Sequence, residues 1–174
     1  MSATRVPWFE KSFPTGEDAG AWGELLERLR AAPVRVRAVV AGLPRQVLTR
    51  RDGEQWSLQE HAGHLWDLED LHRRRLRDYR ARARELRPAE LANRRTWQAG
   101  HNDDDIEAIL EDFRWERELF VSELEGLSAE ERGRAPNHPR LGQPMSPVGL
   151  MRFVAEHDDH HLELMRDLVS RFAP

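Results

Sequence analysis

Apolar residues recur along this chain at intervals of three and four. That spacing gathers them on one face of an α-helix, and the strict alternation of a half-buried strand is scarce. The pattern predicts four long helices. The first covers about 17–42, with Pro33 inside it expected to kink or break it, because proline lacks the N–H an interior turn needs. The second opens at Ser57, whose Ser-x-x-Glu spacing with Glu60 forms a capping box, and runs to about residue 84. Its apolar positions are Leu58, Ala62, Leu65, Leu68, Leu71, Leu76 and Tyr79. Pro88 and the polar stretch ELANRRTWQAGHN then read as a long connection. The third helix covers 103–126, its acidic DDD suiting the positive end of the helix dipole. Its seam of Ile106, Leu110, Phe113, Phe120, Leu124 and Leu127 is interrupted by Arg117. A second capping box follows at 128–131, then a loop rich in proline and glycine. The last helix begins with Ser146 as N-cap and Pro147 at the first helical position, and continues to about residue 171. Four amphipathic helices imply an all-α four-helix bundle. The connections 43–56 and 84–102 are long enough to join helices that are not antiparallel neighbours, so a crossover topology is expected. The 174 residues suit one domain, with 1–16 as an N-terminal extension.

The last helix places histidines where apolar residues belong. Leu150, Val154, His157, His161, Leu164 and Leu168 are spaced by four and three, which is the buried stripe of a bundle helix. His160 falls at the edge of that stripe, and Asp158 and Asp159 point elsewhere. Buried imidazoles need partners. Two of them at i and i+4 can share one metal ion, or each can be bonded to a carboxylate or to the backbone. A shared ion needs a third ligand from a facing helix, and the second helix offers His61, His64 and His72. Periodicity does not choose among the three. Glu60 and Asp67 lie on the His64 side and could fix its tautomer.

Composition narrows the chemistry. The chain has no cysteine, so any metal is held by His, Asp or Glu, and a cysteine nucleophile is excluded. The formal net charge is −4, which argues against a nucleic-acid binder. The arginine-rich run at 72–87 is expected to be the solvated face of a long helix. No apolar run approaches the ~20 residues of a membrane span, and the first residues lack the layout of a signal peptide. A cytoplasmic protein is expected.

Three stretches, in order, carry a family resemblance: WSLQEHAGHLWDLED, NRRTWQAGHNDDDIEAILEDFRWERELFVSEL and HPRLGQPMSPVGLMRFVAEHDDHHLELMRDL. Together they resemble the DinB-like superfamily of metal-binding four-helix bundles, the group that contains the YfiT-type proteins, over about residues 18–172. The resemblance implies an up-down-down-up bundle. It also implies a metal triad of one second-helix histidine, which falls on His64, and the fourth-helix pair, which falls on His157 and His161. Relatives include thiol-dependent S-transferases and isomerases and are often dimers, so a homodimer is expected, with the apolar pair Trp8 and Phe9 as candidate contacts.

An ion held by three neutral imidazoles keeps open positions and its full charge. It can lower the pKa of a water or a thiol and so generate a nucleophile near neutral pH. The expected metals are Zn, Ni, Fe or Mn, and Cu and Co also suit the donor set. The leading expectation is a metal-dependent enzyme joining a low-molecular-weight thiol to an electrophilic small molecule. The alternatives are a metal-dependent hydrolase, or a non-catalytic dimeric stress protein braced by its ion, with His61 or His160 as fourth donor. His160 and Asp67 are the candidates for catalytic proton transfer. Arg117 is expected to pair with a buried carboxylate rather than anchor a substrate. His138 and Arg140 are placed near the mouth of the site, and His101 at the surface. Trp56, Trp66, Trp97 and Trp115 are expected in the core or at an interface.

Overall fold

The computed structural model describes residues 7–13 and 19–172. Its helices are α1 (Trp22–Val40), α2 (Arg45–Leu48), α3 (Leu58–Asp67), α4 (Glu69–Arg80), α5 (Arg94–Ala99), α6 (Ile106–Glu125), α7 (Ala129–Arg132) and α8 (Pro147–Phe172). A two-residue hairpin, β1 (Asn137–His138) against β2 (Gln143–Pro144), precedes α8. The bundle is built from α1, the bent pair α3–α4, α6 and α8. Helix α1 lies against α8 and α6, and the α3–α4 pair faces α6, with α3 also against α8.

Cross-helix contacts fix the directions. Arg30 pairs with Glu125 and Arg37 with Glu111, so α1 and α6 run oppositely. Arg73 reaches Glu116 and Arg80 reaches Glu123, so α4 and α6 run together. Arg28 reaches Glu156 and Arg35 reaches Asp159, so α1 and α8 also run together. The bundle is therefore up-down-down-up. Two successive parallel helices need a connection that returns along the bundle, and residues 81–105 supply it. This crossover carries α5 and a turn of 3-10 helix at His101–Asp103. Sequence periodicity could not find α5, because six residues whose buried member is Thr96 make no apolar stripe.

Local signals held at the helix starts. Ser57 Oγ accepts from the Glu60 N–H at 3.1 Å, and Glu60 Oε2 accepts from the Ser57 N–H at 2.9 Å. Ser128 and Glu131 repeat the arrangement at α7, and Ser146 Oγ caps Gly149 N–H at 3.2 Å. Three boundaries differ from the periodicity. The second helix is interrupted at Leu68 and ends at Arg80, and α6 starts at Ile106 with Asp105 as its cap. The expected start of the first helix at 17–18, and most of the 1–16 extension, lie outside the described residues.

Pro33 does not break α1. A residue with an N–H at position 33 would bond the Leu29 carbonyl, and proline cannot. Arg117 of α6 donates to that carbonyl instead, at 3.0 Å, so the acceptor left by proline is satisfied from another helix. Arg117 is buried and also binds Glu69 Oε1 at 2.7 Å and Asp158 Oδ2 at 2.7 Å. It is a structural ion-pair partner, as its place in the seam suggested. Asp158 therefore faces the interior, contrary to the expectation that it points away from the buried stripe.

The apolar core forms two clusters. One contains Leu25, Leu29, Leu76, Tyr79, Phe120 and Leu150, and the other Val36, Leu58, Leu65, Phe113, Leu162 and Met165. Between them lies a polar layer of Glu69, His72, Arg117 and Asp158, continued by the histidines of α3 and α8.

The arginine run at 72–87 is largely committed to carboxylates. Arg73 binds Glu116 and Glu123, Arg74 binds Asp70, Arg82 binds Glu130 and Arg87 binds Asp78. Trp97 and Trp115 are exposed, whereas Trp56 and Trp66 are partly buried. Among the described residues no helix is long and apolar enough to cross a membrane.

Candidate metal centre

Helix α3 is buried almost all round, because α6 and α8 cover one side and the crossover covers the other. It brings His64 to face His157 and His161 of the antiparallel α8. One nitrogen from each of these three rings lies within 4.8 Å of the others. His161 Nε2 and His157 Nε2 are 3.1 Å apart. Two imidazole nitrogens bound to one ion at about 2.0–2.1 Å are separated by about 3–3.4 Å, so this gap already suits a shared ion. His157 Nδ1 is buried with no hydrogen-bond partner. Burial pushes the His64 imidazole down to about 4 and His157 and His161 well below their ordinary value, with neighbouring histidines adding to the effect. All three are therefore neutral at pH 7, the form a metal needs.

Two of the three candidate ligand rings, His64 and His161, are held from behind. Thr96 of α5 donates its hydroxyl proton to Asp67 Oδ2 at 2.8 Å. The hydroxyl can then only accept from His64 Nδ1, 3.0 Å away. His64 thus carries its proton on Nδ1 and keeps the Nε2 lone pair for an ion. Asp67 was expected to steer His64, and it does so through this threonine. Its carboxylate also accepts from His101 Nε2 at 3.0 Å and Arg95 Nε at 3.2 Å. Burial raises the Asp67 carboxyl, but the hydrogen bonds from His101 and Thr96 outweigh it and leave the group below its ordinary value. Asp67 lines a shallow cavity with Trp66, Arg95 and His101, separate from the one His64 faces. Glu60 plays no part here, because it is held by Arg51 and the capping box.

His61 supplies the second orienting contact. Its Nδ1 lies 2.8 Å from His161 Nδ1, the nitrogen opposite the one that faces His157. His61 thus holds the ring of a candidate ligand.

His101 is buried, not at the surface as its position before the third helix suggested. The signal that could have found it is Gly63. Glycine inside a helix costs about 1 kcal/mol relative to alanine, and here a Cβ would fall inside the His101 imidazole. The glycine lets His101 lie flat on α3 and reach Asp67.

The ligand nitrogens face a cavity of about 370 Å³. Its walls include Trp8, Trp56, Leu68, Leu71, Phe153 and His160. Trp56 lies over the centre, its ring centroid 4.5 Å from that of His64 and 6.0 Å from that of His161 in a stacked arrangement. Trp8 was expected to be exposed as a subunit contact. It packs on its own chain, 5.1 Å from Phe153 and 4.8 Å from His157, while Phe9 beside it is exposed. His138 and Arg140, expected at the mouth, do line this cavity, as does His72.

The structure of YfiT from Bacillus subtilis is similar to that of this chain, with a TM-score of 0.78, 16% sequence identity, and coverage of 92% of this chain and 93% of that one. YfiT is described as a probable metal-dependent hydrolase with an unusual four-helix bundle topology. No curated protein matches the chain in sequence. The sequence pattern of the DinB superfamily matches residues 14–165. The topology, the opposed histidines and this match agree, and the chain belongs to the DinB superfamily.

Proposed function

We propose that this protein is a metal-dependent enzyme acting on a small electrophilic molecule, with His64, His157 and His161 as its metal ligands. The nucleophile is a low-molecular-weight thiol in an S-transfer reaction, or water in a hydrolysis. The observation that carries the reading is the opening of three neutral imidazoles, two of them held from behind, onto a cavity large enough for a substrate. A divalent Zn, Ni, Fe or Mn ion there would supply Lewis acidity and lower the pKa of the nucleophile. The chain's own residues do the rest. Thr96 and Asp67 hold the His64 tautomer, and His61 holds the His161 ring. Trp56 and Trp8 exclude water from the walls. His160, on the cavity wall beside His161, is the candidate for moving a proton between nucleophile and solvent. Asp67 acts from behind His64.

The bracing alternative needs His61 or His160 as fourth donor, and it is weakened for His61 because that ring's Nδ1 is engaged with His161 Nδ1. The hydrolytic variant gains from the description given to YfiT. A homodimer remains part of the proposal, and sedimentation of the purified protein decides it. Elemental analysis of untagged protein beside His64→Ala and His161→Ala tests the centre. About one equivalent of a transition metal is expected in the parent and little in either variant. A parent that takes up no added Zn or Ni, with folded variants behaving alike, would overturn the reading.

A further inference from the structure

The cavity wall away from the three histidines is cationic and poorly compensated. Arg75 of α4 is 2% exposed, and its Nε donates to the Arg87 carbonyl at 3.1 Å. Among the described residues no carboxylate makes an ion pair with it. Nearby Asp78 gives its carboxylate to Arg87. Arg140, from the loop before α8, is likewise without a carboxylate partner among the described residues, and its Nη2 is buried with no hydrogen bond. Its guanidinium rests instead on aromatic faces, 5.3 Å from the Phe153 centroid and 5.5 Å from that of Trp8. His138 and His72 stand beside these arginines, and the buried His138 Nε2 and His72 Nδ1 also lack partners. Burial lowers Arg75 to about 10, with Tyr79 and Asp78 opposing the shift and Arg140 adding to it, and burial followed by both arginines lowers His138 to about 4. Both arginines still carry charge at neutral pH. Glu90 lines the same cavity, but its carboxylate accepts from the Ala92 and Arg94 N–H groups.

A buried guanidinium is normally paired, and a chain of net charge −4 has carboxylates to spare. Two arginines turned to one cavity without a carboxylate, beside orphaned imidazole nitrogens, leave a place for charge brought by a ligand. We propose that this wall is an anion subsite, in which Arg75 and Arg140, with His138 and His72 beside them, hold the carboxylate, phosphate or sulfonate of a small substrate whose reacting end reaches the three-histidine centre. The proposal rests on the metal-enzyme reading and names its substrate class. The apolar walls formed by Trp8, Leu68, Leu71 and Phe153 would take the body of the molecule between the two ends.

The test uses three probes of one shape: benzylphosphonate and phenylacetate, which are anionic, and neutral phenylacetamide. Calorimetric titrations are run on chelator-treated and on Zn-loaded protein. At least one anion is expected to bind about tenfold or more tightly than the amide in both forms, the size of effect expected of charge-assisted hydrogen bonds. Arg140→Gln should abolish most of that preference while keeping the helical circular dichroism and the Zn uptake of the parent. Arg75→Gln should do the same, and Arg140→Gln serves alone where loss of the buried arginine unfolds the chain. Equal binding of anions and amide, an anion preference seen only with Zn present, or a preference that survives Arg140→Gln would overturn the subsite. Anion preference in a protein that takes up no metal would uphold the subsite and remove the metal-enzyme reading.

Discussion

At the scale of single residues, the centre depends on groups that never touch an ion. Thr96 is the clearest. Its one proton goes to Asp67, which forces His64 to donate from Nδ1 and to present Nε2. Thr96→Val keeps the volume and removes the relay. Metal affinity is expected to fall about 10- to 100-fold, the usual effect of losing an orienting partner, with far-UV circular dichroism unchanged. Competition against a fluorescent chelator measures it, and unchanged affinity would remove Thr96 from the site. The sequence showed His157 and His161 plainly, because an i, i+4 pair interrupting an apolar stripe is a local pattern. The choice of His64 over His61 and His72 came from family resemblance, since all three are buried along the bent α3–α4 pair. Thr96 and His101 were out of reach, as their partner Asp67 is some thirty positions away and no periodicity links them.

At the scale of elements, α1 and α6 share one hydrogen bond that neither helix could specify alone. Pro33 leaves the Leu29 carbonyl without its helical donor, and Arg117 replaces it while pairing with Glu69 of α4 and Asp158 of α8. Arg117→Met strands two buried carboxylates and a carbonyl, and is expected to cost about 3–5 kcal/mol. In a Pro33→Ala background the carbonyl regains a donor from residue 33. The cost of Arg117→Met should then be smaller by about 1 kcal/mol, the worth of one buried hydrogen bond. Urea unfolding of the four proteins gives the cycle, and strictly additive losses would show that the two residues are not coupled. The helix starts were legible from their caps, because a capping box is a four-residue signal. The survival of α1 through Pro33 was not, because its cause lies on another helix.

At the scale of the whole molecule, the polar layer makes stability depend on pH. His61, His64, His72, His138, His157 and His161 are all held below their ordinary value, chiefly by burial, with His61 at about 3 and His64 and His138 at about 4. The unfolded chain takes up protons at about 6.5 and the folded one does not. Their contribution is therefore complete above pH 6.5 and is lost as pH falls from there towards the folded values. Each such group is worth about 1.4 kcal/mol per pH unit in that window. Glu69 acts oppositely, since burial lifts it to about 7 despite Arg117, so its contribution grows as pH falls from 7 to its unfolded value. Burial raises Asp158 as well, and two carboxyls against six imidazoles leave the histidines in control. The Tm of metal-free protein should drop steeply between pH 6.5 and 5, and a flat or rising profile would contradict this account. The bundle class was readable from four stripes, and the crossover from the length of its connections. That crossover has one more consequence. Thr96, through which Asp67 sets the tautomer of His64, rides on the chain between the second and third bundle helices, outside the packed faces of α3 with α6 and α8. Connections accept changes in length and sequence far more readily than packed helices do. The electronic environment of an ion held at the proposed centre would therefore be a replaceable part, and a different segment grafted between α4 and α6 would retune the centre while the bundle that holds it stays as it is.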